Sequence, residues 1–295
     1  MCNFAKYLCE NLKTSSIQRK PDWLRIKLPS IEEYTYVKSY LNQFHLHTIC
    51  ESGNCPNQAE CWKSGTATFM ILGDQCSRTC RFCNVKKGNP SEPDPNEPEN
   101  VADVVKLMKL RHCVITSVTR DDLEDGGSIT WAETVKAIRR KNPLTTVEAL
   151  IPDFKGKDDD LQRVINAAPE IISHNLETVK RLTPIIRVQA KYEISLEVVR
   201  RISESGIRSK SGIMLGLGET EEDILETMDD LISTRCEVLT LGQYLQPTRA
   251  NIPVVKYIEP ETFEKYKHIA LSKGFKVVES GPLVRSSYNS HNHLR

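Results

Sequence analysis

The chain has 295 residues, 39% of them hydrophobic, which is enough to fill the core of a single α/β barrel with short appendages. Its 40 lysines and arginines nearly balance its 39 aspartates and glutamates, so the formal net charge is +1. A chain without a strong overall field is not expected to recruit nucleic acid or an anionic membrane surface.

The amino-terminal residues give no sign of a targeting segment. They lack the apolar core and cleavage site of a secretion signal, and Glu10 together with few arginines argues against an organelle transit peptide. No stretch approaches the roughly 20 apolar residues that a membrane-spanning helix needs. We therefore expect a cytoplasmic protein, in a compartment that keeps thiols reduced.

An amphipathic helix is predicted over residues 31–44, where apolar side chains recur at helical spacing. Ser30 and Glu33 have the pattern of a capping box at its start. This helix would lead the chain to the first of two cysteine triplets, in the stretch CESGNCPNQAEC. The first triplet consists of Cys50, Cys55 and Cys61.

A short buried strand is predicted over residues 66–72, because TATFMIL is apolar and rich in β-favouring residues. The second triplet, in CSRTCRFC, follows this strand and consists of Cys76, Cys80 and Cys83. Its C-x3-C-x2-C spacing allows three thiolates of one loop to bind three irons of a 4Fe-4S cluster. The fourth iron would stay open for a substrate or for S-adenosylmethionine, with Phe82 excluding water.

Zinc is the main alternative for six clustered cysteines, because structural zinc sites use thiolate and imidazole ligands. Neither triplet alone supplies four ligands, but His45 or His47 could complete a Cys3His site with the first. A disulfide framework is not expected in a reducing compartment. The remaining cysteines are interpreted as free thiols or core residues, and these are Cys2, Cys9, Cys113 and Cys236.

The proline-rich residues 89–100 predict an extended surface linker. After them, segments with helical periodicity alternate with short β-favouring segments. The predicted helices span residues 99–110, 129–141, 158–167, 195–205, 221–233 and 260–273. The predicted strands span residues 112–118, 145–151, 170–175, 209–215, 237–245 and 275–280.

A series of strand–helix units predicts a parallel sheet in an α/β fold, a full or partial (β/α) TIM-type barrel. A doubly wound open sheet is the alternative. The expected organisation is an N-terminal helical extension with the first triplet at 1–65, the barrel at 66–280 and a C-terminal tail at 281–295. Active sites of such barrels lie at the carboxyl ends of the strands.

Several polar residues near predicted strand ends are candidates for binding S-adenosylmethionine. Thr116 lies at the end of one strand, and Asn175 and Glu177 at the end of another. A carboxylate can bind ribose hydroxyls and an amide can reach the methionyl group, although Asn175 could instead cap a helix. Arg187 and Lys210 are candidate partners for a ligand carboxylate.

The two triplets carry a family resemblance. CSRTCRFC resembles the cluster loop of radical S-adenosylmethionine enzymes, and CESGNCPNQAEC resembles the auxiliary-cluster motif of the lipoyl synthase family. Further similar segments extend the likeness from about residue 20 to 290, and these are SVTRDDLEDGG, HNLETV, KSGIMLGLGE, GQYLQPT and GPLVRSSY.

The resemblance implies a radical S-adenosylmethionine sulfurtransferase with two 4Fe-4S clusters. The second triplet would bind the cluster that cleaves S-adenosylmethionine to a 5′-deoxyadenosyl radical. The first triplet would bind an auxiliary cluster with Ser287, in the RSSY motif, as the fourth ligand, whereas on the sequence alone Ser286 is an equal candidate. The implied substrate is an octanoyl chain linked to a carrier lysine, with sulfur from the auxiliary cluster inserted at C6 and C8.

The resemblance also implies the partners. The carriers would be octanoylated lipoyl domains of 2-oxoacid dehydrogenase E2 subunits and the glycine cleavage H protein. An electron donor such as ferredoxin or flavodoxin would reduce the cluster, and an iron–sulfur carrier would repair the auxiliary one. Another radical enzyme with an extra cluster would not explain the first triplet together with RSSY, and an electron carrier or zinc module would not cleave S-adenosylmethionine.

Overall fold

The computed structural model describes residues 7, 19–25, 38–53, 55, 57, 58, 61 and 66–294. Residues 38–43 are helical, whereas most of the helix predicted over 31–44, including Ser30 and Glu33 of its capping box, lies outside the described residues. Cys2 and Cys9 lie outside them as well. Within the described ranges, no helix has both the length and the apolar character that a membrane crossing requires.

In the described part of the chain, ten strands form two sheets. They are β1 (His47–Thr48), β2 (Thr66–Ile71), β3 (Gln75–Cys76), β4 (Lys86–Lys87), β5 (His112–Ser117), β6 (Thr146–Leu150), β7 (Ile171–Ser173), β8 (Arg208–Leu215), β9 (Val238–Gln243) and β10 (Val277–Gly281). Strands β3 and β4 form a small separate pair, and the other eight form the central sheet in the order β1-β2-β5-β6-β7-β8-β9-β10.

The central sheet has the topology of a barrel. Strand β1 is antiparallel to β2, and all the other neighbouring strands are parallel. Within the central sheet, each parallel strand lies beside the strand of this sheet that follows it in the chain. The strand order therefore never reverses as it does in a doubly wound sheet. The predicted full or partial barrel is confirmed over the doubly wound alternative, although in the described part of the chain no ladder joins β10 to β1.

Helices connect the strands and cover the outer face of the sheet. They are α1 (Ile49–Ser52), α2 (Glu97–Leu107), α3 (Ser128–Lys141), α4 (Asp158–Asn166), α5 (Thr183–Ile186), α6 (Tyr192–Glu204), α7 (Glu221–Ser233) and α8 (Pro260–Lys273). Short 3-10 helices span Asp22–Leu24, Phe154–Gly156 and Ser290–Leu294.

Local signals explain several helix ends. A capping box between Thr220 and Asp223 starts α7, and Gly274, with φ 112°, ends α8 in the left-handed region. The predicted linker over 89–100 is wrong at its end, because α2 already begins at Glu97. Pro98 is tolerated there, since the first turn of a helix leaves its N–H groups without partners inside the helix.

The core lies between the sheet and its helices, in two clusters of buried side chains. One includes Phe69 and Trp131, and the other includes Leu241 and Phe263. Cys113 and Cys236 are fully buried, and burial raises the pKa of the Cys236 thiol to about 12. Their interpretation as core residues is confirmed.

The C-terminal tail runs between the two ends of the sheet. Gly281 ends β10 beside Gly242, at the carboxyl ends of the strands. Arg208, the first residue of β8, donates a hydrogen bond through Nη1 to the backbone oxygen of the buried His293. The final 3-10 helix therefore lies at the amino ends of the strands, and the preceding residues of the tail lie near the opposite end.

Candidate active site

A cavity of about 490 Å³ opens at the carboxyl ends of the strands. This volume is typical of sites for small molecules and cofactors. Its lining includes all three cysteines of the second triplet, Cys76, Cys80 and Cys83. It also includes four of the five predicted polar candidates, namely Thr116, Asn175, Glu177 and Arg187.

The loop that carries the second triplet is held from both sides. Cys76 ends β3, and its Sγ accepts the backbone N–H groups of Arg78 at 3.4 Å and Thr119 at 3.3 Å. The N–H of Gly88, just after β4, donates to the backbone oxygen of Cys76 at 3.1 Å. Hydrogen bonds to a ligating sulfur favour its thiolate form and help set the potential of a cluster.

Burial and mutual repulsion disfavour free thiolates in this loop. Burial, with smaller contributions from the charges of Cys80 and Cys76, raises the pKa of Cys83 to about 12. Burial also raises the pKa of Cys80, and the charge of Arg187 opposes that rise. Neighbouring, partly buried thiols that disfavour each other's charge fit a site in which bound metal supplies the compensating positive charge.

Arg78 is a residue of this site that the sequence analysis missed. Its guanidinium donates to both carboxylate oxygens of Asp121, at 2.7 and 3.0 Å, and to both of Asp153, at 2.8 and 2.6 Å. Burial works against these charges, but the pairing holds the pKa of Asp153 well below its usual range. This network joins the cluster loop to the loops after β5 and β6.

The turn after β6 is strained around Asp153. Phe154 and Lys155 have φ values of 45° and 55°, in the left-handed region that non-glycine residues rarely adopt. The Asp153 carboxylate accepts the Lys155 N–H at 2.9 Å, and Lys155 Nζ donates to the backbone oxygen of Asp121 at 2.8 Å. The available signal was an aspartate two residues after the end of the strand predicted over 145–151.

Asn175 and Glu177 do not cap a helix, since the next helix, α5, begins only at Thr183. Glu177 instead forms an isolated parallel bridge with Ile213 of β8, with φ 65°. Asn175 Nδ2 donates to Glu177 Oε1 at 3.2 Å. Burial raises the pKa of Glu177, and Arg187 opposes this rise. Both polar groups therefore remain available to a ligand.

Thr116 and Arg187 complete the polar part of the lining. Thr116 Oγ1 donates to the backbone oxygen of Leu150 at 3.2 Å. Arg187 Nη1 donates to the backbone oxygen of Leu176 and to Ser195 Oγ, both at 3.0 Å. The anchored guanidinium keeps further donors for a ligand, because it carries five N–H groups.

Lys210 is not in the cavity, and the structure corrects its predicted contact with S-adenosylmethionine. The side chain is fully buried inside the sheet, and its Nζ pairs with Glu148 Oε1 at 2.8 Å. Ser173 Oγ donates to the same oxygen at 2.7 Å. Buried charges in proteins are paired, and the partner of Lys210 comes from β6.

The first triplet is connected to the C-terminal tail. Cys50 lies in α1, and the Cys55 N–H donates to its backbone oxygen at 3.0 Å. The Cys61 N–H donates to the backbone oxygen of Asn57 at 3.0 Å. Asn57 Nδ2 in turn donates to the backbone oxygen of Leu283 at 2.6 Å. Residues far apart in sequence are thereby placed together.

The tail then crosses β9 at the edge of the cavity. A Cβ added to Gly242 would lie 2.2 Å from the backbone oxygen of Val284, so this close approach requires glycine. Arg285 and Ser286 line the cavity. Ser287 is partly buried and is absent from the lining, so its ligand role stays a prediction.

The alternatives of zinc and disulfides gain no support from the described residues. Among them, no group of three histidine, cysteine, aspartate or glutamate side chains is already arranged as a site for a single ion, and this holds for both cysteine triplets. His45 is exposed, and His47 lies in β1 opposite Met70. None of the described cysteines forms a disulfide.

Residues 70–231, more than half of the chain, match the Radical SAM superfamily. Methylornithine synthase has a similar fold, with a TM-score of 0.56 at 13% identity over 85% of this chain and 79% of its own. Coproporphyrinogen III oxidase from Escherichia coli, a radical SAM enzyme, aligns with a TM-score of 0.51 at 12% identity, over 71% and 53%. Fold and site together define a radical S-adenosylmethionine enzyme.

Two relatives narrow this class. The lipoyl synthase of Parabacteroides distasonis is 57% identical over 276 residues, 94% of this chain and 98% of its own. The mitochondrial lipoyl synthase of Nematostella vectensis is 58% identical over 276 residues, 93% of this chain and 95% of its own. The chain belongs to the lipoyl synthase family.

Proposed function

We propose that the protein inserts sulfur at C6 and C8 of an octanoyl chain that is amide-linked to a lysine of a lipoyl carrier domain. The observation that carries this proposal is the placement of both triplets. The second lines the cavity, and the first is tied through Asn57 and Leu283 to the tail that forms the cavity edge. A substrate in the cavity would lie between the two.

The second triplet would hold a 4Fe-4S cluster through Cys76, Cys80 and Cys83. When bound, this cluster and S-adenosylmethionine supply an electron and a 5′-deoxyadenosyl radical. The N–H donors on Cys76 and the network of Arg78 would orient the loop.

Four cavity residues would position S-adenosylmethionine. Glu177 offers carboxylate oxygens to hydroxyl or ammonium groups, and Arg187 offers N–H donors to a carboxylate. Asn175 and Thr116 supply further polar contacts from the ends of β7 and β5.

The cavity also has apolar walls that suit an acyl chain. Ile151, Ile213, Met214 and Val284 are among its lining residues. These groups would bury the methylene groups of the substrate and exclude water. Exclusion matters because a primary carbon radical is quenched by an accessible hydrogen donor.

The first triplet would hold the auxiliary cluster, with Ser287 as its fourth ligand. A serine oxygen is a harder and weaker partner for iron than a thiolate. It could therefore release the cluster as sulfur is consumed. The hydrogen bond from Asn57 to Leu283 in the tail supports this assignment, because it keeps the RSSY motif near the first triplet.

The partners follow from this chemistry. We assign as carriers the octanoylated lipoyl domains of E2 subunits and the glycine cleavage H protein. Ferredoxin or flavodoxin would supply electrons, and an iron–sulfur carrier would rebuild the auxiliary cluster. The cytoplasmic location and the division at residues 65 and 280 also belong to the proposal.

The test is an anaerobic assay of the reconstituted chain with dithionite, S-adenosylmethionine and an octanoyl-lysine peptide. Mass spectrometry should find two added sulfur atoms in the peptide, together with 5′-deoxyadenosine. A peptide that stays unchanged while 5′-deoxyadenosine forms would refute the assigned substrate.

Three variants separate the two triplets. Cys80→Ala should abolish 5′-deoxyadenosine, whereas Cys55→Ala should retain it and abolish sulfur insertion. Cys236→Ala removes a buried cysteine outside both triplets and should retain both products. Sulfur insertion by Cys55→Ala would contradict the role of the first triplet.

A further inference from the structure

Asn251, in the loop that follows β9, holds the backbone of the cluster loop. Its Nδ2 donates to the backbone oxygen of Arg81 at 3.3 Å and to that of Cys83 at 3.0 Å. The N–H of Ile252 adds a further bond to the backbone oxygen of Arg81, at 3.1 Å. Whereas Arg78 connects the cluster loop to the loops after β5 and β6, these bonds connect it to the loop after β9.

The hydrogen bonds of the Asn251 amide fix its orientation. Thr248 Oγ1 donates to Asn251 Oδ1 at 2.7 Å and itself accepts the N–H of Ala250 at 3.2 Å. A side-chain amide has two N–H donors, and here both bond to backbone oxygens of the cluster loop. A flipped amide would place its oxygen against those two backbone oxygens, which cannot donate. The amide therefore satisfies its donors and its acceptor only in the observed orientation.

Four consecutive peptide groups of the cluster loop are held by hydrogen bonds. The N–H of Arg81 donates to the last residue of α5 at 2.9 Å, and the N–H of Cys83 donates within the loop at 3.3 Å. Asn251 bonds to the other two groups, through the oxygens of Arg81 and Cys83. Because each peptide group is planar, fixing successive groups also fixes the φ and ψ angles between them. The positions of Phe82 and Cys83 therefore depend on Asn251.

Phe82 and Cys83 are the two residues of this segment for which position matters most. Both line the cavity, and Cys83 belongs to the second triplet. A thiolate ligand must point at its iron, and an aromatic residue beside a cluster excludes water from it. Contacts that orient the ligands of a metal site help to determine how tightly the metal is held.

We propose that Asn251 is a positioning residue for the cluster of the second triplet. It acts through the backbone, by directing the Cys83 thiolate toward its iron and by keeping Phe82 at the cavity wall. The inference rests on the proposed function, in which the second triplet binds a 4Fe-4S cluster. It adds a role for the loop after β9, which lines the cavity through Gln246 and Pro247 and holds the cluster loop through Asn251.

Asn142 is a matched control for Asn251. Both residues are 9% exposed, and Asn142 Nδ2 donates to the backbone oxygen of Ala102 at 2.9 Å. Asn142 directly follows α3 and is absent from the cavity lining. Replacing either asparagine by alanine removes bonds from a side-chain amide to backbone oxygens, so both changes should lower the free energy of unfolding to a similar extent.

The test uses the full chain with the three cysteines of the first triplet changed to alanine, so that only the cluster of the second triplet is present. Asn251→Ala and Asn142→Ala are reconstituted in this background, and the release of iron to a chelator is followed by absorbance. We expect Asn251→Ala to release iron roughly tenfold faster, because Cys83 is then held less firmly. Asn142→Ala should release iron at the native rate, although denaturant unfolding of the metal-free variants should show similar stabilities.

Electron paramagnetic resonance of the reduced cluster supplies the second readout. A mixture of Cys83 positions gives a mixture of cluster environments, so the spectrum of Asn251→Ala should be broader than the native one. Its change on addition of S-adenosylmethionine should be smaller. Native spectra and a native release rate in Asn251→Ala would overturn the proposal. Equally fast release by Asn142→Ala would also overturn it, because a general loss of stability would then explain both variants.

Thr248→Val decides if Asn251→Ala does not fold. The change keeps Asn251 and the approximate shape of residue 248, but it removes the hydroxyl that orients the amide. We expect iron release roughly threefold faster than native, because the donors of the amide are no longer held toward the cluster loop. A native release rate in Thr248→Val would then overturn the proposal.

The proposed function is checked separately in the same experiments. Background protein with native Asn251 that binds no iron–sulfur cluster would refute the role of the second triplet. Background protein that holds the cluster, with an Asn251→Ala variant that behaves identically, would refute only the role of Asn251.

Discussion

The guanidinium of Arg78 lies between the carboxylates of Asp121 and Asp153 and anchors the loop of the second triplet. Arg78 and Asp153 are almost completely buried, so neither charge can be compensated by water. Removing one partner of such a buried pair destabilises a protein by more than the intact pair stabilises it, because the remaining charge stays desolvated. A single side chain therefore controls both the fold of the loop and the geometry of its thiols.

Asp153→Asn is expected to lower the free energy of unfolding of the metal-free protein by about 3 kcal/mol, because Arg78 loses a buried charge partner. Chemical denaturation measures this loss, and iron analysis after reconstitution should find less bound cluster. The difference from wild type should shrink as pH falls below the ordinary aspartate pKa of 3.8. The unfolded carboxyl then binds a proton that the native carboxyl does not bind.

Lys136→Gln is the matched control for Asp153→Asn. Lys136 forms an exposed ion pair with Glu133, so its loss should cost less than about 1 kcal/mol. Equal stability of Asp153→Asn and wild type would contradict the anchoring role of Arg78.

At the scale of elements, helix α2 stabilises the end of β2 as well as its own first turn. Glu97, in that first turn, accepts the N–H of Leu72 at 2.7 Å. Leu72 has φ 68° and turns the chain from β2 toward the second triplet. Burial raises the pKa of Glu97 to about 7, although this hydrogen bond opposes the rise. The element that begins within the predicted linker thus supports the cluster loop.

Because the pKa of Glu97 is raised in the native state, its contribution to the free energy of unfolding should depend on pH. The native state binds a proton more tightly than the unfolded state, so the contribution of Glu97 is fully present below its usual pKa of 4.5. It should be lost as pH rises through about 7. The loss should not exceed about 3 kcal/mol.

Denaturant unfolding of wild type and Glu97→Gln across this pH range isolates the contribution, since all other groups titrate equally in both. The stability of the variant relative to wild type should increase with pH. Glu133→Gln, an exposed control, should change little. Parallel curves for wild type and Glu97→Gln would show that the native and unfolded pKa values of Glu97 are equal.

At the scale of the whole molecule, the C-terminal tail couples the cavity to the opposite end of the sheet. Arg285 and Ser286 line the cavity, whereas His293 is buried near the start of β8. The tail therefore has little freedom to move when one contact changes. A displacement of the tail over β9 should also displace the first triplet, because Leu283 accepts a hydrogen bond from Asn57.

Gly242→Ala is expected to displace the tail, because the new Cβ would lie 2.2 Å from the Val284 backbone oxygen. The variant should lose iron of the auxiliary cluster while it keeps the other cluster and still cleaves S-adenosylmethionine. Iron analysis and 5′-deoxyadenosine formation measure the two effects. In the control Gly281→Ala, the nearest atom is a side-chain carbon 3.5 Å away, and both clusters should remain. Two intact clusters in Gly242→Ala would contradict the coupling.

The amino-acid sequence by itself determined the strand–helix series and the spacing of both triplets. These features depend on residues close together in the chain, so periodicity and spacing identify them. The predicted ends of the strands were less accurate. The strands predicted over 170–175 and 237–245 are the shorter β7 and β9, because their last residues turn into the cavity.

Only the tertiary structure decided which polar groups meet. Lys210 follows the same local pattern as a ligand-binding residue, but Glu148, 62 positions away in the chain, holds it in the barrel interior. Arg78 acquires its importance in the same way, from aspartates on two other loops. A buried charge is stabilised by the partner that the fold brings to it, and that partner leaves no signal in the local sequence.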